Sequence, residues 1–354
     1  MTNSIGMSLL NISGPLMLTG HTGFKGTWLT FLLEHLGIPV VGYSLEPEKN
    51  SLYERAQRLG AIPEHFGEIE NFTELSKFVN RYKPSSIIHL AAQPLVLKSY
   101  ESPRKTFETN LMGTVNILDA AFSTEYVKAI MIVTSDKVYK NIGLKKLFTE
   151  NDELSGRDPY SASKVATESA VSAWQQLSKV KNGPKVISVR AGNVIGGGDW
   201  AEDRIIPDLI KSYLNKIPAQ IRNPNSIRPW QHVLDPLTGY LMSLEAILGD
   251  SIIDTLNFGP TGDSLSVLDL INLGSKTLPL NFELLNLNQE YEANYLSLDS
   301  TLAQNKIGWK SNWTQLESID KSFIWWDKVL NKKFKPSMAV NEDIIDYVSS
   351  FKKS

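Results

Sequence analysis

Short apolar runs alternate with amphipathic stretches along the first half of this chain. The apolar runs are continuous enough to predict strands that are buried on both faces, and they cover residues 15–19, 38–45, 85–91, 129–135 and 185–191. Stretches with apolar residues at helical spacing lie between them and predict helices over residues 25–36, 72–82, 103–122 and 160–178. This alternation predicts an α/β fold with a doubly wound parallel sheet.

The strand–helix rhythm ends near residue 192. The sequences GGGDW and RNPNSIRPW follow it, and their mixture of Gly, Pro, Arg and Trp is typical of a binding surface supported by a scaffold. We therefore predict a nucleotide-binding domain over 1–192, rejoined by a segment near 228–262. Residues 193–354 are predicted to form mainly a smaller C-terminal substrate-binding lobe.

Composition narrows the classes of function. The 354 residues include 36 basic and 38 acidic side chains, so the net charge of -2 gives no general attraction to nucleic acid or to an anionic membrane. The chain has no cysteine, and its five histidines are scattered, so no metal site is expected. The first 14 residues lack the basic start and long apolar core of a signal peptide, which favours a cytoplasmic protein with a short frayed N-terminus.

The sequence LTGHTGFKG at 18–26 carries three glycines between a predicted strand and a predicted helix. Glycines in this setting allow a tight turn and a close backbone approach, so that pyrophosphate rests on the N–H groups of the helix. The motif predicts a Rossmann-type dinucleotide site. The expected cofactor residues here are Gly20, Thr22, Gly23, Phe24, Lys25 and Gly26.

The second predicted strand lacks the acidic residue that commonly binds the adenine ribose. Ser44 stands near that point and Glu46 comes slightly late, while no arginine follows to bind a 2′-phosphate. NAD is the predicted cofactor, with NADP left open. Glu68 and Ile69 are expected near the adenine, although Glu68 also fits a solvated loop acid.

Two further motifs carry candidate chemistry. The sequence TSDKVY places Asp136 and Lys137 side by side where an apolar strand stops. In YSASK, Tyr160 and Lys164 are four residues apart, on one face of a helix. A cation near a phenol stabilises the phenolate, so Lys164 is expected to lower the pKa of Tyr160 toward neutrality.

Together these motifs resemble the extended short-chain dehydrogenase/reductases, and in particular their nucleotide-sugar 4,6-dehydratases. The most specific strings are RAGNVIGGGDWAEDRIIPD and RPWQHVLDPLTGYL, and the similarity also includes LAAQPLV, TNLMGT and EANYLSLD. The resemblance implies NAD as cofactor and CDP-glucose as substrate, converted to CDP-4-keto-6-deoxy-D-glucose and water. It also implies a role in deoxysugars of lipopolysaccharide O-antigen, and a homodimer or higher homo-oligomer formed by the helices at 103–122 and 160–178.

The resemblance also implies residue roles. Ser135 would hydrogen-bond the sugar 4-hydroxyl, Tyr160 would take its proton, and Lys164 would bind the nicotinamide ribose. Asp136 would act as the acid on the C6 hydroxyl, and Lys137 would be the C5 base, where many related enzymes carry Glu. Further cofactor contacts are expected from Ala91, Ala92, Gln93 and Asn110.

Because the net charge of the protein is close to zero, an anionic substrate must be bound by individual positive side chains. Arg204 and Arg228 are candidates for the pyrophosphate, because guanidinium binds phosphate oxygens in pairs; the alternative for each is an exposed salt bridge. Gln93, Asn193 and Gln231 complete the expected substrate contacts.

Two rival functions remain open from the sequence. A nucleotide-sugar 4-epimerase would use the same cofactor with Tyr160 and Lys164, but it needs no acid and base beside them. A catalytically silent dinucleotide-binding regulator would need neither Ser135 nor Tyr160.

Overall fold

The computed structural model describes residues 14–143, 145–262, 265–285 and 296–351. The predicted frayed N-terminus lies outside these residues, and so do residues 292–295 of the EANYLSLD string.

The described residues form strands and helices in alternation. The strands are β1 Leu16–Thr19, β2 Val40–Ser44, β3 Glu64–Phe66, β4 Ser86–His89, β5 Ala129–Val133, β6 Leu147–Phe148, β7 Lys185–Ala191, β8 Val194–Ile195, β9 Ala219–Ile221, β10 Ile227–Arg228, β11 Gln231–His232, β12 Thr255–Phe258, β13 Leu265–Ser266, β14 Phe282–Leu284 and β15 Ser297–Leu298. The helices are α1 Phe24–His35, α2 Leu52–Arg55, α3 Phe72–Tyr82, α4 Val96–Glu101, α5 Pro103–Phe107, α6 Gly113–Phe122, α7 Pro159–Lys181, α8 Ile205–Asn215, α9 Leu234–Leu248, α10 Val267–Gly274, α11 Thr301–Ile307, α12 Gln315–Leu330 and α13 Pro336–Ser350.

A seven-stranded parallel sheet forms the centre of the fold, in the order β12-β7-β5-β4-β1-β2-β3. All five strands predicted from apolar runs belong to it, which confirms the doubly wound α/β prediction. The strand order reverses between β1 and β4, whose registers align Thr19 with His89. Ligand crevices of open α/β sheets lie at such a reversal, beyond the carboxyl ends of the strands.

The sheet is covered on both faces because successive side chains of a strand point to opposite sides. Leu16 and Leu18 of β1 join a large core that includes residues of α1, α9, α12 and α13. Met17, between them, joins a second core formed with α3, α6 and α7. Burial on both faces explains why these strands read as unbroken apolar runs.

The predicted helix over 103–122 is broken into three pieces. α5 is followed by a π-helical turn, Glu108–Met112, and then by α6. A π-turn widens the helix by one residue per hydrogen-bonded loop and commonly lies at functional sites. Helical periodicity alone does not reveal it.

The C-terminal segments pack against the sheet through large aromatic residues. A Cβ added at Gly197 would lie 1.9 Å from the ring of Trp325, and the carbonyl of Gly197 accepts a hydrogen bond from the Trp28 ring N–H at 3.0 Å. The GGGDW run therefore serves close packing between α1 and α12. The domain boundary at residue 192 stays a prediction. Strand β12, at 255–258, lies within the segment near 228–262 that was expected to rejoin the first domain, and it does pair with the central sheet.

No helix within the described ranges is long and apolar enough to span a membrane.

Candidate active site

The glycine loop joins β1 to α1 at the point where the strand order reverses. Gly20 has φ +71°, and a Cβ there would lie 2.7 Å from the backbone nitrogen of Ala91, just after β4. A Cβ at Gly26 would lie 2.1 Å from the carbonyl oxygen of Gly20. Only glycine permits these contacts, so the loop is held tightly between two strand ends.

The start of α1 has the properties of an anion site. Gly23 is its N-cap, no side chain accepts a hydrogen bond there, and the first turn contains no acidic residue. The partial positive charge of the helix start is thus left for a ligand. A dinucleotide pyrophosphate fits this cradle, with Thr22, Phe24 and Lys25 completing the loop.

The end of β2 presents hydroxyl groups. Ser44 is buried, and its Oγ lies 2.7 Å from the Oγ1 of Thr22. Thr22 also donates to the carbonyl of Leu45 at 3.0 Å. Glu46 is exposed, and Glu68 forms an exposed ion pair with Lys105 at 3.3 Å. Among Ser44, Glu46 and Glu68, which were considered for the adenosine part of the cofactor, Ser44 is therefore the residue that contacts the glycine loop.

Ile69 and Phe24 contribute apolar walls. Ile69 is buried in the core on the α6 side, where a Cβ at Gly113 would lie 2.5 Å from its side chain. The ring of Phe24 would lie 3.3 Å from a Cβ at Gly196. Both expected cofactor residues thus also serve packing.

His21 is fixed by a residue that the sequence analysis did not single out. Its Nε2 lies 3.0 Å from the Oε2 of Glu64, on the neighbouring β3. Its ring fills the space beside Gly42, where a Cβ would lie 2.5 Å away. Burial lowers the pKa of His21, and the hydrogen bond to Glu64 opposes that shift. The ring therefore shapes the loop from beneath.

The loop after β4 is held by Asn110 of the π-turn. The Asn110 amide donates to the Ser163 hydroxyl at 2.9 Å, and its oxygen accepts from the backbone N–H of Gln93 at 2.8 Å. The Thr167 hydroxyl donates to the Asn110 carbonyl at 3.0 Å. Asn110 thus joins the β4 loop to α7, which carries the Tyr-x-x-x-Lys pair.

The β4 loop offers mainly backbone groups. Ala91 and Ala92 are half-buried, and the Ala91 N–H donates to the Thr19 hydroxyl at 3.2 Å. The Gln93 side chain accepts from the N–H of Leu95 at 2.6 Å and donates to its carbonyl at 3.1 Å. The same amide also donates to the Thr106 hydroxyl of α5 at 3.0 Å, and the expected contacts of Gln93 with cofactor and substrate stay predictions.

The TSDK segment turns sharply after β5. Residues Asp136–Val138 form a 3-10 turn, and the Ser135 hydroxyl accepts from the Lys137 N–H at 3.2 Å and donates to Asp136 at 3.0 Å. The Asp136 side chain is almost fully buried, and its carboxylate lies 3.8 Å from the ammonium of Lys137, whose side chain is 34% exposed. A Cβ at Gly192 would lie 3.2 Å from Asp136. Acid and amine are thus presented together at the crevice.

Tyr160 and Lys164 face the same crevice from α7, but their electrostatics differ from the prediction. Burial raises the pKa of Tyr160; the charge of Lys137 opposes this most, followed by the hydrogen bond with Ser135. Lys164 instead donates to the carbonyl of Val133 at 3.3 Å, and burial lowers its pKa to about 8. Lys137, rather than Lys164, is the cation that most favours the phenolate.

A buried ion pair beneath the site was not anticipated from the sequence. The Arg190 guanidinium donates to both carboxylate oxygens of Glu168, each at 2.9 Å. Glu168 also accepts from the hydroxyls of Thr134 and Ser188. Thr134 immediately precedes Ser135, and Glu168 is one turn beyond Lys164 on α7. This pair therefore supports both the TSDK turn and the helix that carries Tyr160 and Lys164.

The candidate pyrophosphate arginines differ in their partners. Arg204 forms an ion pair with the nearly buried Asp199 at 3.0 Å, and that neighbour raises the pKa of Arg204. Its charge also acts on Tyr160 and Lys25, so it lies near the crevice. Arg228 donates to the carbonyl of Ile227 at 3.1 Å, on the strand pair β10 and β13.

Gln231 and Asn193 lie on neighbouring segments of the lobe. Gln231 is 1% exposed, and neither polar atom of its side chain has a hydrogen-bond partner. Buried amides are normally hydrogen-bonded, so Gln231 has capacity for a ligand. Asn193 is half-buried between β7 and β8.

The described ranges contain no group of three metal-binding side chains. His89 is engaged by the hydroxyls of Thr19 and Thr114 at 2.7 and 3.2 Å, and burial lowers its pKa to about 3. It is therefore a neutral structural histidine. Taken together, the crevice offers a phenol, a hydroxyl, a carboxylate and several amines beside a dinucleotide cradle, which suits oxidation and proton transfer on a hydroxylated substrate.

Comparison with known proteins gives concordant results. The family model for the NAD dependent epimerase/dehydratase family matches residues 16–257. A CDP-glucose 4,6-dehydratase of Salmonella typhimurium is 38% identical over 344 residues, covering 94% of this chain and 96% of that protein. The UDP-glucose 4-epimerase of Thermotoga maritima, solved with UDP-glucose, has a TM-score of 0.79 at 20% identity, covering 90% of this chain and all of that one. The dTDP-glucose 4,6-dehydratase of Bacillus anthracis, solved with NAD, has a TM-score of 0.76 at 19% identity, covering 92% and 100%.

Removing one partner of the buried pair should destabilise the protein strongly. We expect Glu168→Ala to lower the free energy of unfolding by about 3–5 kcal/mol, because it leaves the Arg190 charge buried and uncompensated. Urea denaturation measures this. The matched control is Glu153→Ala, which breaks the exposed Lys140–Glu153 pair and should cost less than about 1 kcal/mol. Equal losses in the two variants would contradict the assignment.

Proposed function

This chain belongs to the NAD dependent epimerase/dehydratase family, and we propose that it is an NAD-dependent CDP-glucose 4,6-dehydratase, a hydro-lyase. The main support is the Asp136–Lys137 pair, 3.8 Å apart, beside Ser135 and Tyr160. A 4-epimerase requires no such acid and base, so the pair favours dehydration. The similar CDP-glucose 4,6-dehydratase of Salmonella typhimurium supports the same nucleotide and hexose.

Bound NAD would supply a reversible hydride acceptor, so that the sugar is oxidised at C4 and reduced at C6 without net redox change. Tyr160 takes the proton of the 4-hydroxyl, and Ser135 orients that hydroxyl. The phenolate is favoured by Lys137, Ser135 and Arg204, which oppose the effect of burial on the pKa of Tyr160. Lys164 holds the ribose of the cofactor.

Asp136 and Lys137 carry out the elimination. The ketone at C4 acidifies the C5 proton, Lys137 removes it, and Asp136 protonates the departing C6 hydroxyl, which leaves as water. The two groups lie 3.8 Å apart. These roles require Lys137 as the free amine and Asp136 as the carboxylic acid at the moment of elimination; the exchanged roles, with Asp136 as base, are the alternative to be tested.

Substrate and cofactor binding draw on the remaining crevice residues. Gly20, Gly23 and Gly26 hold the NAD pyrophosphate, and Ser44 with Thr22 lies on its adenosine side. Arg204 and Arg228 bind the pyrophosphate of CDP-glucose, and Gln231 uses its unpartnered amide on the nucleotide-sugar.

The proposal extends to setting and assembly. We propose a cytoplasmic enzyme that supplies deoxysugars for lipopolysaccharide O-antigen, consistent with a chain that has no cysteine for an oxidising compartment. We also propose a homodimer or higher homo-oligomer formed by the helices at 103–122 and 160–178, beside α4. Support comes from the exposed apolar side chains of Leu97, Tyr100 and Met112, which lie on elements packed around α5 and α7.

A panel of nucleotide-sugars tests the proposed reaction. CDP-, dTDP-, GDP- and UDP-glucose are each incubated with the protein and NAD or NADP, and the products are weighed by mass spectrometry. We expect CDP-glucose with NAD to lose one water. A product of unchanged mass with inverted C4 would establish the epimerase, and binding of NAD without turnover of any sugar would establish a silent regulator.

Variants of the adjacent pair test the elimination. Asp136→Asn and Lys137→Met should each lower the rate of product formation by about 100-fold or more. In D2O, Asp136→Asn should still exchange the C5 proton of CDP-glucose, whereas Lys137→Met should not; the opposite pattern would exchange their roles. Lys140→Met, which changes a nearby exposed lysine, is the control and should keep the wild-type rate. Wild-type rates in both pair variants would reject the assignment.

Light scattering tests the proposed dimer. Met112→Glu places a charge on the exposed apolar face and should shift the protein toward monomer at micromolar concentration. Ile345→Glu is the control, because Ile345 is 56% exposed and lies on α13, which packs against α1, α2 and α12. A wild-type protein that is monomeric throughout, or equal effects of the two variants, would contradict the proposed interface.

A further inference from the structure

Trp200 follows the glycine run of GGGDW and has cationic neighbours from two distant segments. Its side chain is half-buried. The guanidinium carbon of Arg55, at the end of α2, lies 5.0 Å from the centre of the indole ring, and the Nζ of Lys211, on α8, lies 5.5 Å from it. The face of an indole ring attracts cations electrostatically. Trp326 of α12 packs against the same ring, with the ring centres 5.9 Å apart, so Trp200 joins three helices.

The contact between Trp200 and Arg55 goes beyond simple packing. The same guanidinium lies 5.5 Å from the ring of Trp326, and its Nη1 is buried without a hydrogen-bond partner among the described residues. Burial of a charged group is unfavourable unless its surroundings compensate it. The two indole rings supply part of this compensation. A leucine at position 200 would fill part of the space but would not attract the cation.

Asp199, the residue before Trp200, binds the candidate pyrophosphate arginine. Its side chain is 5% exposed; Oδ2 accepts from the Nη1 of Arg204 at 3.0 Å, and Oδ1 accepts from the N–H of Ala201 at 3.2 Å. Residues 199–204 form neither helix nor strand, so their path depends on such contacts. A guanidinium carries five N–H donors, so the contact with Asp199 orients Arg204 and leaves donors for a phosphate.

Helix α2 contacts this part of the chain at two points. A Cβ at Gly198 would lie 2.5 Å from the side chain of Leu52, and Gly198 has φ +82°, so another residue would be both strained and obstructed. Arg55, one turn after Leu52, contacts Trp200. The helix that follows the second strand of the central sheet therefore directs the chain toward α8, whose N-cap is Arg204.

We propose that Trp200 is a positioning residue for the substrate: through Arg55 and Lys211 it holds the 199–204 segment so that Arg204 meets the pyrophosphate of the nucleotide-sugar. This inference rests on the role of Arg204 in the proposed function. Trp200 itself does not touch the substrate and acts only through Arg204. Its loss should therefore weaken the binding of ligands that carry a pyrophosphate, and should not weaken the binding of the nucleoside alone.

Binding of CDP and of cytidine tests the inference, because both carry the base and the ribose and only CDP carries the pyrophosphate. Calorimetry gives the Kd for CDP, and NMR titration, which suits millimolar affinities, gives the Kd for cytidine. We expect Trp200→Leu to raise the Kd for CDP about tenfold and to leave that for cytidine within about twofold. Trp200→Phe keeps an aromatic ring and should stay within about threefold of the wild-type Kd for CDP.

Three results of these titrations would overturn the inference. They are equal losses of affinity for CDP and cytidine in Trp200→Leu, an unchanged Kd for CDP in that variant, and no binding of CDP to the wild-type protein.

A double-mutant cycle tests whether Trp200 acts through Arg204. Arg204→Met should raise the Kd for CDP about 30-fold, because charged hydrogen bonds to the pyrophosphate are lost. The double variant, Trp200→Leu with Arg204→Met, should bind CDP no more weakly than Arg204→Met alone, since a residue that acts through another adds nothing once the other is gone. A Kd about 300-fold above the wild-type value, which is the product of the single effects, would overturn the inference.

Arg55→Met tests the same contact with the indole ring left in place, and it replaces Trp200→Leu if that variant does not fold. We expect it to raise the Kd for CDP about fivefold. The matched control is Arg81→Met, which removes an exposed arginine 5.3 Å from the ring of Tyr82. Arg81 lies on α3, which packs on the face of the sheet opposite to Trp200, so the Kd should stay at the wild-type value. Equal effects of Arg55→Met and Arg81→Met would overturn the inference.

Turnover of CDP-glucose separates this inference from the proposed reaction. Dehydrated product from the wild-type protein, with an unchanged Kd for CDP in Trp200→Leu and Arg55→Met, would support the function and reject the role of Trp200. The expected pattern of CDP affinities without any dehydrated product would reject the function and support the role of Trp200.

Discussion

Burial of charge at the carboxyl edge of one parallel sheet is the constraint on which this structure depends. Asp136, Lys164 and Glu168 lose most of their contact with water, and Tyr160 is buried with them. Removal from water disfavours every ionised form, so each group keeps its charge only through a neighbour. The proton states in the crevice are therefore set jointly rather than residue by residue, and the roles proposed for Asp136 and Lys137 depend on this coupling.

Two ion pairs at this edge of the sheet differ in how fully their charges are hydrogen-bonded. Glu168 and Arg190 satisfy each other with paired hydrogen bonds, and their surroundings supply two more hydroxyl donors. Asp136 and Lys137, in contrast, lie 3.8 Å apart with the lysine partly exposed. The fully hydrogen-bonded Glu168–Arg190 pair thus gives rigid support to the Asp136–Lys137 pair, whose proposed roles require proton exchange. Local satisfaction is commonly incomplete at the positions where a protein does its chemistry.

Much of the fold was predictable because its strands are buried on both faces and its helices between them keep a clear period. The glycine loop and the TSDK turn were predictable because each follows directly from a strand end. Other features depend on contacts between residues far apart in the chain, such as Glu64 with His21, or Arg190 with Glu168. The spacing of Tyr160 and Lys164 placed both on one helix face, but it could not reveal that Lys164 turns to a backbone carbonyl while a lysine from another segment acts on the phenol.

The central claim is that one sugar is oxidised at C4, loses water and is reduced at C6 without leaving the crevice. Turnover of CDP-glucose carrying deuterium at C4 tests it most directly, with the product examined by NMR and mass spectrometry. The account predicts deuterium in the C6 methyl group of the same molecule, with no transfer to unlabelled substrate present in the mixture. Deuterium that remains at C4, or that appears in free reduced dinucleotide, would contradict it.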